Sequence, residues 1–175
     1  IEGKSLSIVA ADCATGEPHY FHPEKGNWMR LVIASCTLPL VTRGRIQVGD
    51  RWVFDGGYAD SIPLEKALSD GNKRLVVVRT RPSGQKVEQD TLDWFASYWF
   101  RDNPAMACLF EVGHERYNRV VDRLLTGEGD GATWSEIAPL APLKSSGYSV
   151  NADDLRADYR HGLEVGLDWL VAQSL

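Results

Sequence analysis

The chain has 175 residues, 43% of them hydrophobic and 25% charged, with a formal net charge of −5. That length can bury a real core in one domain. The acidic balance argues against nucleic acid as a partner, and no apolar run approaches the about 18 residues of a membrane-spanning helix.

"SLSIVAADC" alternates and is rich in Ile, Val and Ala, so it reads as a strand, with "EPHYF" as its hairpin return beyond Gly16. Asn27 is expected to cap a helix with Trp28, Leu31, Val32 and Ser35 on its buried stripe, stopped by Pro39. "RIQVGDRWVF" carries two short strands about a Gly-Asp turn. Pro63 opens a short helix that Gly71 ends, and "RLVVVRT" reads as a parallel strand buried on both faces. Farther on the pattern is helical. "TLDWFASYWF" is one aromatic segment, and Asn103-Pro104 opens a helix with Leu109, Tyr117, Val120, Val121 and Leu124 on one face, closed by Gly127. "GEGDGA" is a loop, "TWSEIAPLAPL" an edge strand, and Asn151 caps a last helix with Leu155, Tyr159, Leu163 and Leu170 on its buried side. Strands alternating with helices predict an α/β fold with a mostly parallel sheet between helices. No linker divides the chain, so residues 1–175 are expected to form part of one domain, with the sheet in 1–82 and helices in 83–175.

The stretch "WVFDGGYADSIPLEKA" holds the chemical question. Asp-Gly is a common turn signal, because Asp bonds its own backbone and Gly accepts positive φ. Asp70-Gly71 and Asp130-Gly131 are such turns in this same chain. Asp55-Gly56-Gly57 differs because it follows an apolar strand directly and precedes a helix. In an open α/β sheet that is where ligands bind.

Here the chain resembles bacterial patatin-like phospholipases. "ASCTLPL" (Ala34 to Leu40), "DGGYADSIPLEKAL" and "RLVVVRTRP" match that family's Ala-Ser-x-x-x-Pro segment, Asp-Gly-Gly, helix-opening Pro and hydrophobic strand, in order, over residues 5–82. From Asn103 onward the likeness is weaker: "IAPLAPLKSSGYSVNADDLRADYRHG" is similar to the tail of one bacterial subgroup. The resemblance implies a three-layer α/β/α domain and a serine–aspartate dyad that hydrolyses lipid esters. Asp55 would be the base, Gly56 and Gly57 would shape its loop, and Ser35 would pack nearby without attacking. It implies no cofactor and no metal. An aspartate of ordinary pKa is a weak base at neutral pH, so the role requires direct contact with the serine and partial burial. The chain holds no Gly-x-Ser-x-Gly elbow and no glycine-rich oxyanion stretch, and it starts at Ile1 without a methionine. The expectation is that these elements lie in a missing N-terminal part and that the chain alone is inactive. The competing reading is a non-catalytic interaction module on the same scaffold.

Trp94, Trp99 and Phe100 are candidates for lipid contact, against the commoner alternative that aromatic stripes are core. Arg79 and Arg81 could meet an anionic headgroup, with plain solvation as the alternative. The odd count of cysteines, Cys13, Cys36 and Cys108, fits no disulfide framework and points to a reducing compartment, hence a cytoplasmic location with peripheral membrane contact as its extension. Cys36 and Cys108 read as buried apolar residues, and Cys13 with His19 and His22 matches no tight metal spacing. His114 and His161 read as solvated, and Gly162 with Gly166 as a face for close helix packing.

Overall fold

Local turn chemistry builds the main sheet. In the computed structural model, which describes residues 5–24, 26–42, 44–127, 129, 131–145 and 151–174, strand β1 (Ile8–Asp12) folds back on β2 (Pro18–Phe21). Ile8 lies opposite Phe21 and Ala11 opposite Pro18. The Asp12 carboxylate fixes this turn by accepting the Ala14 and Thr15 N–H groups at 2.8 and 3.2 Å. Arg51 donates to its other oxygen at 2.7 Å. A Gly49-Asp50 turn, with Gly49 at φ 61°, joins β3 (Ile46–Val48) to β4 (Arg51–Asp55). β1 then pairs antiparallel with β4, Ala10 opposite Asp55, giving the order β2-β1-β4-β3.

Alternation puts Ala10 and Val53 on one face of this sheet, where they pack with Ala34 of α1 (Trp28–Ser35). Ala11 and Phe54 occupy the other face. There they meet Ala59 of α2 (Gly57–Asp60), Ala96 of α4 (Thr91–Trp99), and Met106, Leu109 and Phe110 of α5 (Pro104–Thr126). Phe54 and Leu109 are fully buried, each contributing about 1.5–3 kcal/mol of transfer free energy. Helices thus cover both faces of the sheet. The chain divides into two compact units, and these layers belong to the first, Ile1–Pro63 with Val87–Val120.

The second unit is Leu64–Lys86 with Val121–Leu175. It holds α3 (Leu64–Ser69) and a parallel pair, β5 (Arg74–Val78) with β6 (Thr133–Ile137), Val76 opposite Ser135. α6 (Ala152–Gln173) starts where the Asn151 side chain accepts the Asp153 N–H at 2.9 Å. Its Trp169 indole donates to Ser135 Oγ at 3.1 Å, and its His161 Nε2 accepts the Leu140 N–H at 3.1 Å.

The mixed α/β class and both predicted hairpins are present, and several finer expectations are corrected. Among the described residues the four-stranded sheet is antiparallel throughout, and parallel pairing is confined to β5 and β6. Short turns explain the β1–β2 and β3–β4 pairings, since a tight reversal enforces antiparallel neighbours; β1 and β4 pair antiparallel across the intervening β2, α1 and β3. β5 is parallel as expected but not buried on both faces: Val76 is 50% and Val78 75% exposed. In α1 the buried residues are Leu31 and Ala34, while Trp28 and Val32 face outward. The Asn27 side chain accepts from Glu24 N and does not cap the helix. In α6 the predicted stripe of Leu155, Tyr159, Leu163 and Leu170 is exposed, because the face meeting β6 carries Trp169. A Cβ at Gly162 or Gly166 would touch nothing within 4 Å, so neither glycine serves close packing among the described residues. Asp130 and residues 146–150 of the quoted tail lie outside the described residues.

Candidate functional site

Asp55 is the last residue of β4, and two backbone bonds clamp the chain there. Its N–H donates to Thr37 O at 2.9 Å, and the Gly56 N–H donates to Ser35 O at 3.3 Å. The segment after α1 thus holds the strand end through carbonyls. Thr37 is itself buried, its hydroxyl donating to Ile33 O at 2.6 Å. This gives the "ASCTLPL" segment a physical role: Ala34 fills the core, and Ser35 and Thr37 position the aspartate through their backbone.

The glycines work by space, not by φ. Gly56 is right-handed at φ −66°, and a Cβ there would lie 2.3 Å from Val9 O and 2.6 Å from Val9 C. No side chain fits against that backbone. A Cβ on Gly57 would lie 3.0 Å from Asp55 Oδ1, so its absence leaves room for the carboxylate. Gly56 caps α2, a single helical turn in which Asp60 N donates to Gly56 O at 2.9 Å.

The Asp55 carboxylate is half-buried. Its Oδ1 accepts the Gly57 N–H at 2.8 Å, and among the described residues no donor is bonded to Oδ2. Burial pushes its pKa above the ordinary carboxylate value, and the Gly57 bond offsets only part of that rise. One oxygen is fixed and one is free on a carboxyl readier than usual to take a proton. Such a group can serve as a general base toward a hydroxyl brought to Oδ2.

Several side-chain placements were not legible in the sequence. The Tyr20 hydroxyl donates to Asp60 Oδ2, joining β2 to α2 across 40 positions. Ser61 Oγ donates to Gly57 O, which braces the same turn. Asp93 on α4 is partly buried, and its carboxyl is pushed up by that burial and by Asp90, with His114 acting in the opposite direction. His114 Nδ1 is buried without a hydrogen-bond partner among the described residues, which corrects its reading as solvated. His161 is likewise engaged, at Leu140 N. A pairing as distant in sequence as Tyr20 with Asp60 leaves no periodic signal.

The remaining candidates separate. Trp94 and Trp99 are exposed, so they are not core. Phe100 is partly buried and stacks on Phe110 with ring centroids 5.7 Å apart, at the edge of the core cluster. Arg79 is buried and bonded to Glu136 at 2.6 Å, which rules it out as a free headgroup ligand; Arg81 is exposed. Cys36 and Cys108 are exposed, against the expectation. Cys13 is buried, and that burial pushes its thiol up to about 11. Among the described residues no three His, Cys, Asp or Glu are placed to hold a metal, and no helix is long and apolar enough to cross a membrane.

Comparison with known proteins places two likenesses on this geometry. Residues 103–172 match the family model of a domain of unknown function, DUF6363; that match begins after the Asp55 loop. The chain is also 31% identical over 172 residues, 97% of its length, to the uncharacterized protein YjjU of Escherichia coli (strain K12). It covers 47% of that protein, and so spans about half the length of the curated relative it matches.

Proposed function

We propose that this chain is the Asp-Gly-Gly part of a patatin-like serine acyl hydrolase acting on carboxylic esters of lipids, with Asp55 as the dyad base. The observation that carries the reading is the state of Asp55: half-buried, raised in pKa, anchored at Oδ1 and free at Oδ2. The Oδ1 bond is the Asx-turn bond that any Asp-Gly turn can make; the partial burial and the free Oδ2 are what favour the catalytic reading. Helices on both faces of the sheet in the first unit support a three-layer scaffold, while its antiparallel strands depart from the mostly parallel sheet that the resemblance implies. The length of the relative supports a longer protein, in which residues outside this chain supply the nucleophilic serine and oxyanion donors.

In this reading the serine hydroxyl is brought to Asp55 Oδ2. Its proton passes to the carboxylate as its oxygen bonds to the ester carbonyl carbon. The protonated Asp55 then returns the proton to the departing alkoxide, leaving an acyl-enzyme. Water repeats the cycle: Asp55 accepts its proton, hydroxide releases the fatty acid, and the serine is reprotonated. The site of action is cytoplasmic, at lipid surfaces.

The test compares two proteins on a short-chain p-nitrophenyl ester. A protein carrying these residues together with a Gly-x-Ser-x-Gly segment is expected to turn over, and the 175-residue chain alone is expected to be inert. Loss of even one oxyanion donor costs about 3–4 kcal/mol, and the chain lacks the nucleophile as well. Absence of turnover in the longer, folded protein would favour a non-catalytic module instead.

A further inference from the structure

The helical turn that anchors Asp55 is too short to hold itself in place. α2 spans 4 residues, and a single turn has no stability of its own in water. Its first N–H, from Gly57, bonds Asp55 Oδ1 at 2.8 Å, and that Asx-turn bond is only as firm as the turn carrying its donor. A closed ring of contacts fixes the turn. Gly56 presses on the Val9 backbone, where a Cβ would lie 2.3 Å from Val9 O. Val9 of β1 lies opposite Tyr20 of β2. The Tyr20 hydroxyl donates to Asp60 Oδ2, and the Asp60 N–H returns to Gly56 O at 2.9 Å. We propose that the Tyr20–Asp60 bond is a tether that aims the Gly57 N–H at Asp55, making Tyr20 and Asp60 positioning residues for the dyad base.

Packing alone leaves the aim open. Ala59 is buried in the core cluster with Phe54, and the Tyr58 ring lies 5.8 Å from Phe54 and 4.8 Å from Phe110. Such contacts press the turn onto the sheet, but they are non-directional. A hydrogen bond is directional, and this one acts at the end of the turn opposite Gly57. A partly buried carboxylate at position 60 costs desolvation, which an apolar residue there would avoid.

The tether works by position, not by charge. Burial and the Gly57 bond are the causes that shift Asp55, and Asp60 is not among them. Tyr20, Val9 and residues 55–60 all lie in the first unit, so the ring closes within this chain whatever surrounds it in the longer protein. The role of Asp55 as a base rests on the acyl-hydrolase reading; the aim of its carboxylate does not.

The test uses the longer protein and two readouts: turnover of a short-chain p-nitrophenyl ester across pH, and NMR titration of the Asp55 carboxyl, assigned by its loss in Asp55→Asn. Tyr20→Phe removes one oxygen and keeps the ring. It is expected to lower kcat by about tenfold or more, the scale of a modest misplacement, with KM near the parent's. Because the Gly57 bond lowers the Asp55 pKa, loosening it raises that pKa. The acid limb of the kcat profile and the NMR titration should both move to higher pH. Asp60→Ala should match Tyr20→Phe, and the double variant should be no worse than either. Asp60→Asn keeps an acceptor for the hydroxyl and should recover most of the rate. Arg51→Met breaks the ion pair with Asp12 at the other end of β4, and it should lower the melting temperature without moving the Asp55 titration. Should Tyr20→Phe fail to fold, Asp60→Asn against Asp60→Ala makes the same comparison. The inference is overturned if the tether variants titrate as the parent does, if they keep an active parent's rate, or if their effects add. A parent that turns nothing over, with the titration still moved by Tyr20→Phe, fails the acyl-hydrolase reading and supports the tether.

Discussion

At Asp55, burial raises the pKa above its unfolded value, which fixes the sign of its linkage to stability. A raised carboxyl adds stability that is full below the unfolded pKa and lost as pH rises through the folded pKa. At neutral pH the ionised group is therefore a liability. Asp55→Asn keeps an acceptor for the Gly57 N–H and removes the charge. Its melting temperature should equal or exceed the parent's at pH 7 to 8, with the gain vanishing below about pH 3.9. A lower melting temperature at pH 7 would contradict the account. Asp12 runs the other way. Burial raises its pKa, but the Arg51 guanidinium and the Ala14 and Thr15 N–H groups outweigh this and hold it below its ordinary value. Its contribution is present above the unfolded pKa and lost as pH falls through the folded one. Gly56 makes a steric prediction: a Cβ would lie 2.3 Å from Val9 O. Gly56→Ala should cost at or above the top of the about 1–3 kcal/mol range for overpacking, read as a drop in the urea midpoint. Gly162→Ala, where nothing lies within 4 Å, should cost nothing measurable.

Among the elements, legibility followed locality. Both hairpins could be read because Gly49-Asp50 and the Asp12 turn declare themselves within a few residues. Helix existence was readable from caps and stops such as Asn151 and Gly127. Which face of a helix is buried was not, because that depends on the neighbour it meets. α6 carries leucines at helical spacing, yet it meets β6 through Trp169; α1 buries Leu31 and Ala34, not the larger Trp28. The apolar run of β5 suggested cover on both faces, and Val78 has none among the described residues. At the site, Asp55 could be singled out from sequence, while its clamp by the Ser35 and Thr37 carbonyls could not, since backbone acceptors carry no residue signature. Two substitutions calibrate this reading. Leu109→Ala removes a fully buried side chain and should cost about 2–5 kcal/mol. Leu163→Ala on the exposed face of α6 should stay within about 0.5 kcal/mol in chemical denaturation of this chain. A large loss at Leu163 would mean that the α6 stripe is covered.

For the molecule as a whole, the Asp55 loop precedes the region matched by DUF6363, and Met106, Leu109 and Phe110 of that region share a core with Phe54, next to Asp55. Under the proposal the nucleophile lies outside these residues, so the test needs a longer protein that carries both. The most direct measurement is the turnover of Asp55→Asn in that protein on a p-nitrophenyl ester, with folding verified and Asp70→Asn as control. Asp70 is an exposed partner of Lys66 at the end of α3 and its substitution should leave the rate unchanged. Asp55→Asn should lower kcat by at least about a hundredfold, the scale of a general-base contribution. Near-full turnover by a folded Asp55→Asn protein would contradict the account and leave Asp55-Gly56-Gly57 as a strand end with a structural role alone.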